Sequence, residues 1–246
     1  MVQPYRRTYT VCPQHLDCFG RAKASALLYF IQEISGEHAA QLDAGWDTLQ
    51  KKHLFWAIIR HRVQITRLPE AGETITLETW PMPTTRVAYP RATAAYDAGG
   101  NELFRSHAMW VLMDTESRAM VLPGKSGVPV DGILLGNELD APVSLPPKQL
   151  VNTHSRAVAR SDLDKNRHMN NTRYLDWIDD LLPDAFRNGH CVKEISVCYL
   201  SEAREEQLLQ LRWELADEMI LQAEAHRENT DVRGGNERIF AAQLRF

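Results

Sequence analysis

Apolar residues recur along this chain at two spacings, and the order of those spacings is written twice. Leu27, Leu28, Ile31 and Ile34 stand at the three- and four-residue intervals of a helix face, as do Tyr174, Leu175, Ile178, Leu181 and Leu182. Strand-like stretches follow each helix, at 54–66, 73–80, 86–97 and 102–113 and again at 192–200, 206–214, 218–226 and 237–246. Glycine-centred turns fall inside both series, Ala98-Gly-Gly-Asn101 and Val232-Arg-Gly-Gly-Asn236, where hairpins need them.

The two series are related by a shift. Moved by 147 positions, Leu16-Asp17 falls on Leu163-Asp164 and Ser25 on Thr172. Leu27, Leu28, Phe30 and Ile31 then fall on Tyr174, Leu175, Trp177 and Ile178. The strands Val63, Ile65, Ile75 and Leu77 match Val197, Tyr199, Leu209 and Leu211 at a shift of 134, so the helix-to-strand stretch is 13 residues shorter in the second copy. A strand, a long helix and an antiparallel set of strands, made twice, predicts an α+β chain of tandem (double) hotdog type, with two long helices each wrapped by a curved antiparallel sheet. The expected units are 1–122 and 150–246, separated by a Pro- and Gly-rich linker at 123–149. Hotdog units pair through their sheets; a tandem copy supplies that pairing within one chain, and a homodimer is compatible with it.

The copies differ most at one place. The second carries Asp164-Lys-Asn166-Arg-His168-Met-Asn170-Asn171 just before its helix. In an extended segment Asp164, Asn166 and His168 share one face; in a helix Asp164 and His168 still do, and Asn166 turns away. Either way an acid, an amide and an imidazole lie near a helix start expected at Asn171, whose N–H groups favour developing negative charge. Asp and Asn before a helix are also ordinary capping residues. The first copy, however, has Phe19, Arg21 and Lys23 where the second has Asn166, His168 and Asn170. A polar cluster needed only to build the unit would stand in both.

Composition narrows the classes. The 246 residues carry a net charge of −4, against the basic excess of a general nucleic-acid binder. No apolar run approaches the roughly 18 residues that span a membrane. The segment Met1-Val-Gln-Pro-Tyr-Arg-Arg lacks the apolar core of a signal peptide, which points to a cytoplasmic setting. Cys12, Cys18, Cys191 and Cys198 match neither a zinc nor a CxxC spacing and are read as structural thiols; no metal and no cofactor are expected.

The motif Asp164, Asn166, His168, Asn170, Asn171, Tyr174, Trp177 resembles the D-x-N-x-H-x-N-N-x-x-Y-x-x-W pattern of the acyl-ACP thioesterases. In the first half, Arg105-Ser-His-Ala-Met-Trp110-Val-Leu-Met113-Asp-Thr-Glu-Ser-Arg118, Phe55-Trp56-Ala-Ile-Ile-Arg60 and Glu78-Thr-Trp80 are similar to family blocks too. The resemblance implies a double hotdog and a thioester hydrolase that frees fatty acid from acyl carrier protein, its partner being the phosphopantetheine-linked acyl chain. It implies a catalytic set of Asp164, Asn166 and His168, joined by Glu202 in the Y-x-x-E context Tyr199-Leu-Ser-Glu202. Asn170 and Asn171 would serve the substrate, and the first copy would shape the acyl pocket, with Phe30, Trp56 and Trp110 among the candidates. Plant members carry Cys after that glutamate; here Ala203 follows, so attack by a thiolate gives way to attack by water or by the Asp164 carboxylate. Lys165, Arg167 and Arg173 flank the motif and are candidates for docking an acidic carrier. The alternatives are a hotdog acyl-CoA thioesterase, a hotdog dehydratase and a non-enzymatic acyl-binding protein.

Overall fold

The computed structural model describes residues 2–128, 132–217, 219–228 and 235–246. The chain divides into two units, residues 1–142 and 143–246.

Unit 1 contains β1 (Tyr5–Thr10), α1 (Ala24–Gln41), α2 (Trp46–Lys51), β2 (Leu54–Ile65), β3 (Thr74–Pro81), β4 (Tyr89–Tyr96), β5 (Glu102–Asp114), β6 (Met120–Val121) and the single turn α3 (Pro123–Ser126). Its antiparallel sheet runs β1-β3-β4-β5-β2, with β6 on β5. The helix pattern read from the sequence holds: Leu27, Leu28, Ile31 and Ile34 are at most 3% exposed, each removing roughly 2 kcal/mol of apolar surface cost from water. They face the sheet, since Phe30 of α1 packs its ring 5.4 Å from Tyr9 of β1 and His38 stacks on Tyr5 at 5.6 Å. Gly45 lets the chain fold back under α1, where a Cβ would fall 2.7 Å from Ala40 Cα. The β4–β5 hairpin turns on the expected glycines: Asp97 accepts the Asn101 N–H at 2.8 Å and Gly100 takes φ +80°.

Unit 2 contains β7 (Asn152–Ala157), α4 (Arg173–Asp179), α5 (Asp184–Gly189), β8 (Glu194–Tyr199), β9 (Leu208–Ala216), β10 (Ile220–Glu228) and β11 (Asn236–Arg245). Its antiparallel sheet runs β8-β11-β10-β9-β7. Of the second set of turn residues expected from sequence, Val232, Arg233 and Gly234 lie outside the described residues, as does Glu218.

The tandem hotdog holds, with one correction. The second central helix is not long: α4 has 7 residues against 18 in α1. Leu181 and Leu182 carry the apolar pattern onward, but Pro183 has no N–H to continue the ladder and its ring clashes with a preceding turn. The chain tightens (Leu181 N–H to Ile178 O, Leu182 N–H to Asp179 O) and restarts as α5. Tyr174, Leu175, Trp177 and Ile178 still reach 3% exposure or less, and Tyr174 stacks on Phe240 of β11 at 4.5 Å.

The Pro- and Gly-rich stretch between the copies is ordered by its neighbours. In unit 1, Trp80 donates to Glu138, Arg105 to Asn137 O and His107 Nδ1 to Leu139 O. In unit 2, Arg238 donates to Leu145 O and Glu224 accepts the Lys148 N–H.

Candidate active site

The motif is neither extended nor helical; it is a tight turn. Leu163 and Met169 form an isolated bridge, the Asp164 N–H donates to His168 O at 2.8 Å, and the Arg167 N–H donates to Asp164 O at 3.0 Å. Closing so small a loop forces Arg167 to φ +61°, a left-handed conformation uncommon outside glycine. The Asp164 carboxylate staples the turn from inside. Its Oδ1 accepts the N–H groups of Asn166 (2.8 Å) and His168 (3.3 Å), and its Oδ2 accepts Asn166 Nδ2 at 3.3 Å. Asp164 and Asn166 therefore do meet, through the turn rather than through a shared strand face.

The same turn positions the imidazole. Just beyond it the Met169 N–H donates to Ala203 O at 2.8 Å, tying the loop to the segment after β8. His168 Nε2 then lies 3.1 Å from Glu202 Oε2. Arg227 on β10 fixes the glutamate's backbone by donating to Glu202 O at 3.0 Å, and also donates to Gln207 at 2.9 Å. The His168 side chain is 13% exposed and that of Glu202 36%, so the pair is sheltered yet reached by water. Arg227 and the Met169–Ala203 tie carried no signal in the sequence, because the first is a lone arginine in a distant strand and the second is backbone.

Asn170 and Asn171 do other work. Asn170 Oδ1 accepts the Thr172 N–H (3.0 Å) and hydroxyl (2.9 Å), closing the turn into α4. The Asn171 carbonyl accepts the Tyr199 hydroxyl at 3.1 Å. Burial pushes the Tyr174 and Tyr199 phenols far up, so both stay protonated. The helix starts at Arg173, not Asn171, and the first N–H groups are used: Thr172 N–H on the Asn170 side chain, Arg173 N–H on Asn170 O. Two of the N–H groups expected to serve an oxyanion at the helix start, those of Thr172 and Arg173, are thus already satisfied, and so short a helix has little dipole.

The remaining candidates lie in unit 1. Trp56 donates to Ala44 O at 2.8 Å and meets Tyr89 edge-on at 4.9 Å; Trp110 packs against the same cluster of Leu49, Leu54 and Leu112. Phe30 sits apart from them, against Tyr9 and His15. In unit 2, Cys198 is buried with its thiol on Val143 O at 3.6 Å, and Ala203 is 1% exposed.

A turn that holds an amide and an imidazole beside a glutamate can carry a general base, a partner for its positive charge and a donor for a polarised carbonyl. The profile of the acyl-ACP thioesterase N-terminal domain matches residues 3–122, and that of the C-terminal domain matches 147–241. A chloroplastic oleoyl-acyl carrier protein thioesterase of Coriandrum sativum is 25% identical over 209 residues, covering 76% of this chain and 56% of its own length. A chloroplastic dodecanoyl-[acyl-carrier-protein] hydrolase of Cinnamomum camphora is 24% identical over 221 residues, 84% of this chain and 58% of its own. The chain thus spans less than two thirds of the length of these curated relatives. Among solved structures, an acyl-ACP thioesterase from Bacteroides thetaiotaomicron superposes with a TM-score of 0.83 at 21% identity, covering 99% of this chain and 97% of that one. The 12:0-ACP thioesterase of Umbellularia californica gives 0.81 at 21% identity, covering 98% and 96%, and both likenesses speak to the fold. With both halves matched, the chain belongs to the acyl-ACP thioesterase family.

Proposed function

We propose that this protein hydrolyses the thioester between a fatty acyl chain and the phosphopantetheine arm of acyl carrier protein, releasing free fatty acid. The observation that carries the reading is the 3.1 Å pairing of His168 Nε2 with Glu202 beside a stapled amide. With Nε2–H donated to the carboxylate, the lone pair stands on Nδ1, which takes a proton from water as its oxygen attacks the thioester carbon. Glu202 favours the imidazolium that results. An amide NH2 has two hydrogens and the Asp164 contact uses one, so Asn166 offers the other to the developing oxyanion. Collapse of the tetrahedral intermediate breaks the C–S bond, and the imidazolium returns its proton to the leaving thiolate.

Asp164 acts in this scheme as the orienter, because its carboxylate is occupied by two backbone N–H groups and an amide. Lys165, Arg167 and Arg173 are exposed around the turn and would meet the acidic carrier. The test measures free thiol released from acyl-ACPs of several chain lengths and from matched acyl-CoAs. Release from the carrier substrates, weakened by salt more than release from the CoA esters, is the expected result. Absence of thiol release from every thioester would end the reading, and a clear preference for CoA would move it to the acyl-CoA class.

A further inference from the structure

The loop that carries Glu202 has a counterpart in unit 1 at the shift of 134. Leu103 O accepts the N–H groups of Thr66 and Arg67 at 2.9 and 3.1 Å, and Ile239 O accepts those of Leu200 and Ser201 at 2.9 and 3.1 Å. Val11 O takes the Gly72 N–H at 2.8 Å, and Val158 O takes that of Glu206 at 2.9 Å. Gly72 and Glu206 are both left-handed, at φ +76° and +65°. The Glu73 carboxylate accepts the Glu70 N–H at 2.7 Å, and Gln207 Oε1 accepts that of Arg204 at 2.9 Å. Leu68 therefore stands where Glu202 stands. The strands agree as well. Leu77 opposes Ala95 and Leu211 opposes Ala225, so Asp97 and Arg227 each lie two residues past the matched alanine.

Both loops are clamped by a guanidinium on the same acceptors, but it arrives from different sides. In unit 1 it belongs to the loop. Arg67 Nη1 donates to Leu68 O at 3.1 Å, and Nη1 and Nη2 donate to Glu73 at 3.0 and 2.7 Å. Toward β4 it makes only a 3.8 Å approach to Asp97. In unit 2 position 201 is serine, and the guanidinium belongs to β10. Arg227 Nη1 donates to Glu202 O at 3.0 Å and to Gln207 Oε1 at 2.9 Å, the counterparts of the Leu68 carbonyl and the Glu73 carboxylate. Its Nη2 donates to Glu237 of β11. The exchange takes the cation from 41% to 22% side-chain exposure. It also changes the mechanics. A loop that clamps itself moves as one piece against the sheet, whereas a loop held by a strand arginine keeps its place on the sheet. That difference matters when the loop must present a group to another segment. Glu202 must, since His168 comes from the turn at 163–169; Leu68 presents neither acid nor base.

We propose that Arg227 is a positioning residue for thioester hydrolysis: by tying the Glu202 main chain to β10 it holds the carboxylate where it meets His168. The inference rests on the hydrolytic reading of the site, and its experiments keep the two apart. Arg227→Ala should lower kcat for acyl-ACP about 10²-fold and leave KM within about twofold, because the substrate contacts remain while the catalytic pair drifts. Guanidinium chloride at tens of millimolar should return several-fold of that loss, and sodium chloride at the same concentration none of it. Arg227→Lys keeps a charge beside Glu237 but lacks the planar fork, so it should recover only part. Should the alanine variant not fold, the kcat deficit of the lysine variant carries the test. The decisive variant copies unit 1. Arg227→Asp with Ser201→Arg should regain the thermal stability that Arg227→Asp alone loses, yet stay as slow, because the loop is then clamped to itself. Turnover that returned with stability would overturn the proposal, since holding the loop together would then suffice. A loss confined to KM in Arg227→Ala would overturn it too. The pairing has its own readout in 15N-histidine NMR, with His168→Ala assigning the signal. Arg227→Ala should move the His168 Nε2 resonance, and guanidinium should move it back. A parent protein that released no thiol would sink the hydrolytic reading, whereas an Nε2 resonance indifferent to Arg227 would by itself sink the positioning role.

Discussion

The turn at 16–22 in unit 1 and the turn at 163–169 in unit 2 share one skeleton and differ in what they display. Each is closed by an isolated bridge, Leu16 with Ala22 and Leu163 with Met169. In each an aspartate N–H reaches the carbonyl four residues on, Asp17 to Arg21 at 2.7 Å and Asp164 to His168 at 2.8 Å. Each aspartate also accepts the N–H groups two and four residues later: 2.9 and 2.9 Å for Asp17, 2.8 and 3.3 Å for Asp164. The displayed side chains part company. Arg21 folds back on its own Asp17 at 3.0 Å and covers the Phe19 ring at 4.9 Å, so that loop neutralises itself. His168 instead reaches Glu202, and Asn166 turns its amide to Asp164. The aspartate is thus a property of the turn, present with or without the other groups, while the amide and imidazole are a property of one copy.

The sharpest way to break that division is to remove what only unit 2 displays. His168→Ala should lower turnover by about 10²–10⁴ with the fold intact, since it deletes the proposed base. Installing the unit 1 residues, Asn166→Phe with His168→Arg, should be as inactive yet fold, because the turn tolerates them at 17–21. Steady-state thiol release and thermal unfolding on the same samples decide it. A double variant that retains activity, or that fails to fold, would undo the separation of scaffold from display.

Acid should separate the units next. His38, His61 and His107 of unit 1 are buried at 3–4% exposure, whereas His154 of unit 2 is exposed and His168, His190 and His226 are not fully buried. Burial, with Arg91 beside it, pushes His38 down to about 4, and burial with His107 nearby pushes His61 down to about 3. A folded value below the unfolded one means that the unfolded chain binds the extra proton. This stability is complete above the ordinary histidine range and drains as pH falls through 6.5 toward 4. By pH 5 the loss is about 2 kcal/mol for each of the two histidines. Hydrogen exchange followed by mass spectrometry, corrected for intrinsic rates, should show protection falling in unit 1 before unit 2 between pH 7 and 5. Equal loss in both would mean that His38 and His61 open to solvent too readily to matter.

The shared aspartates give a matched pair. Asp17→Ala and Asp164→Ala each leave two turn N–H groups without an acceptor and should each cost about 1–2 kcal/mol in denaturant unfolding. Asp164→Asn keeps an acceptor oxygen, so turnover should stay within about tenfold of the parent if the residue orients. Loss comparable to His168→Ala would instead make the carboxylate the attacking group.

What could be read from the chain follows the same division. The offset of 147, the strands and the cluster of Asp164, Asn166 and His168 were legible because apolar spacing and a dense polar motif are local signals, whereas Glu202 entered only through the family resemblance. The shape of the motif was not. A tight turn requires a left-handed residue, which Gly20 announces in the first copy, whereas Arg167 conceals it in the second. Pro183 was a visible stop, but Leu181 and Leu182 extend the apolar rhythm up to it and outweigh it in any periodicity count. Strand pairing brought Arg227 to the Glu202 backbone and Arg91 into the unit 1 interior, and pairing across that distance leaves no trace in local spacing.

The smallest expected effect bears on why that conformation is concealed. Gly20 adopts φ +77° without steric cost, while Arg167 holds φ +61° against its Cβ. Arg167→Gly should therefore stabilise unit 2 by about 0.5–1 kcal/mol, the relief of left-handed strain less the added freedom of the unfolded chain. A strained arginine at a place where the twin turn has glycine makes physical sense if its charge is used. Under the carrier-docking reading, Arg167→Gly raises KM for acyl-ACP and flattens its salt dependence, with little change for the matched acyl-CoA. A variant that gains stability and keeps its carrier KM would leave the strain without a function. One that loses stability would show that Arg167 makes a contact in the turn worth more than the strain it carries.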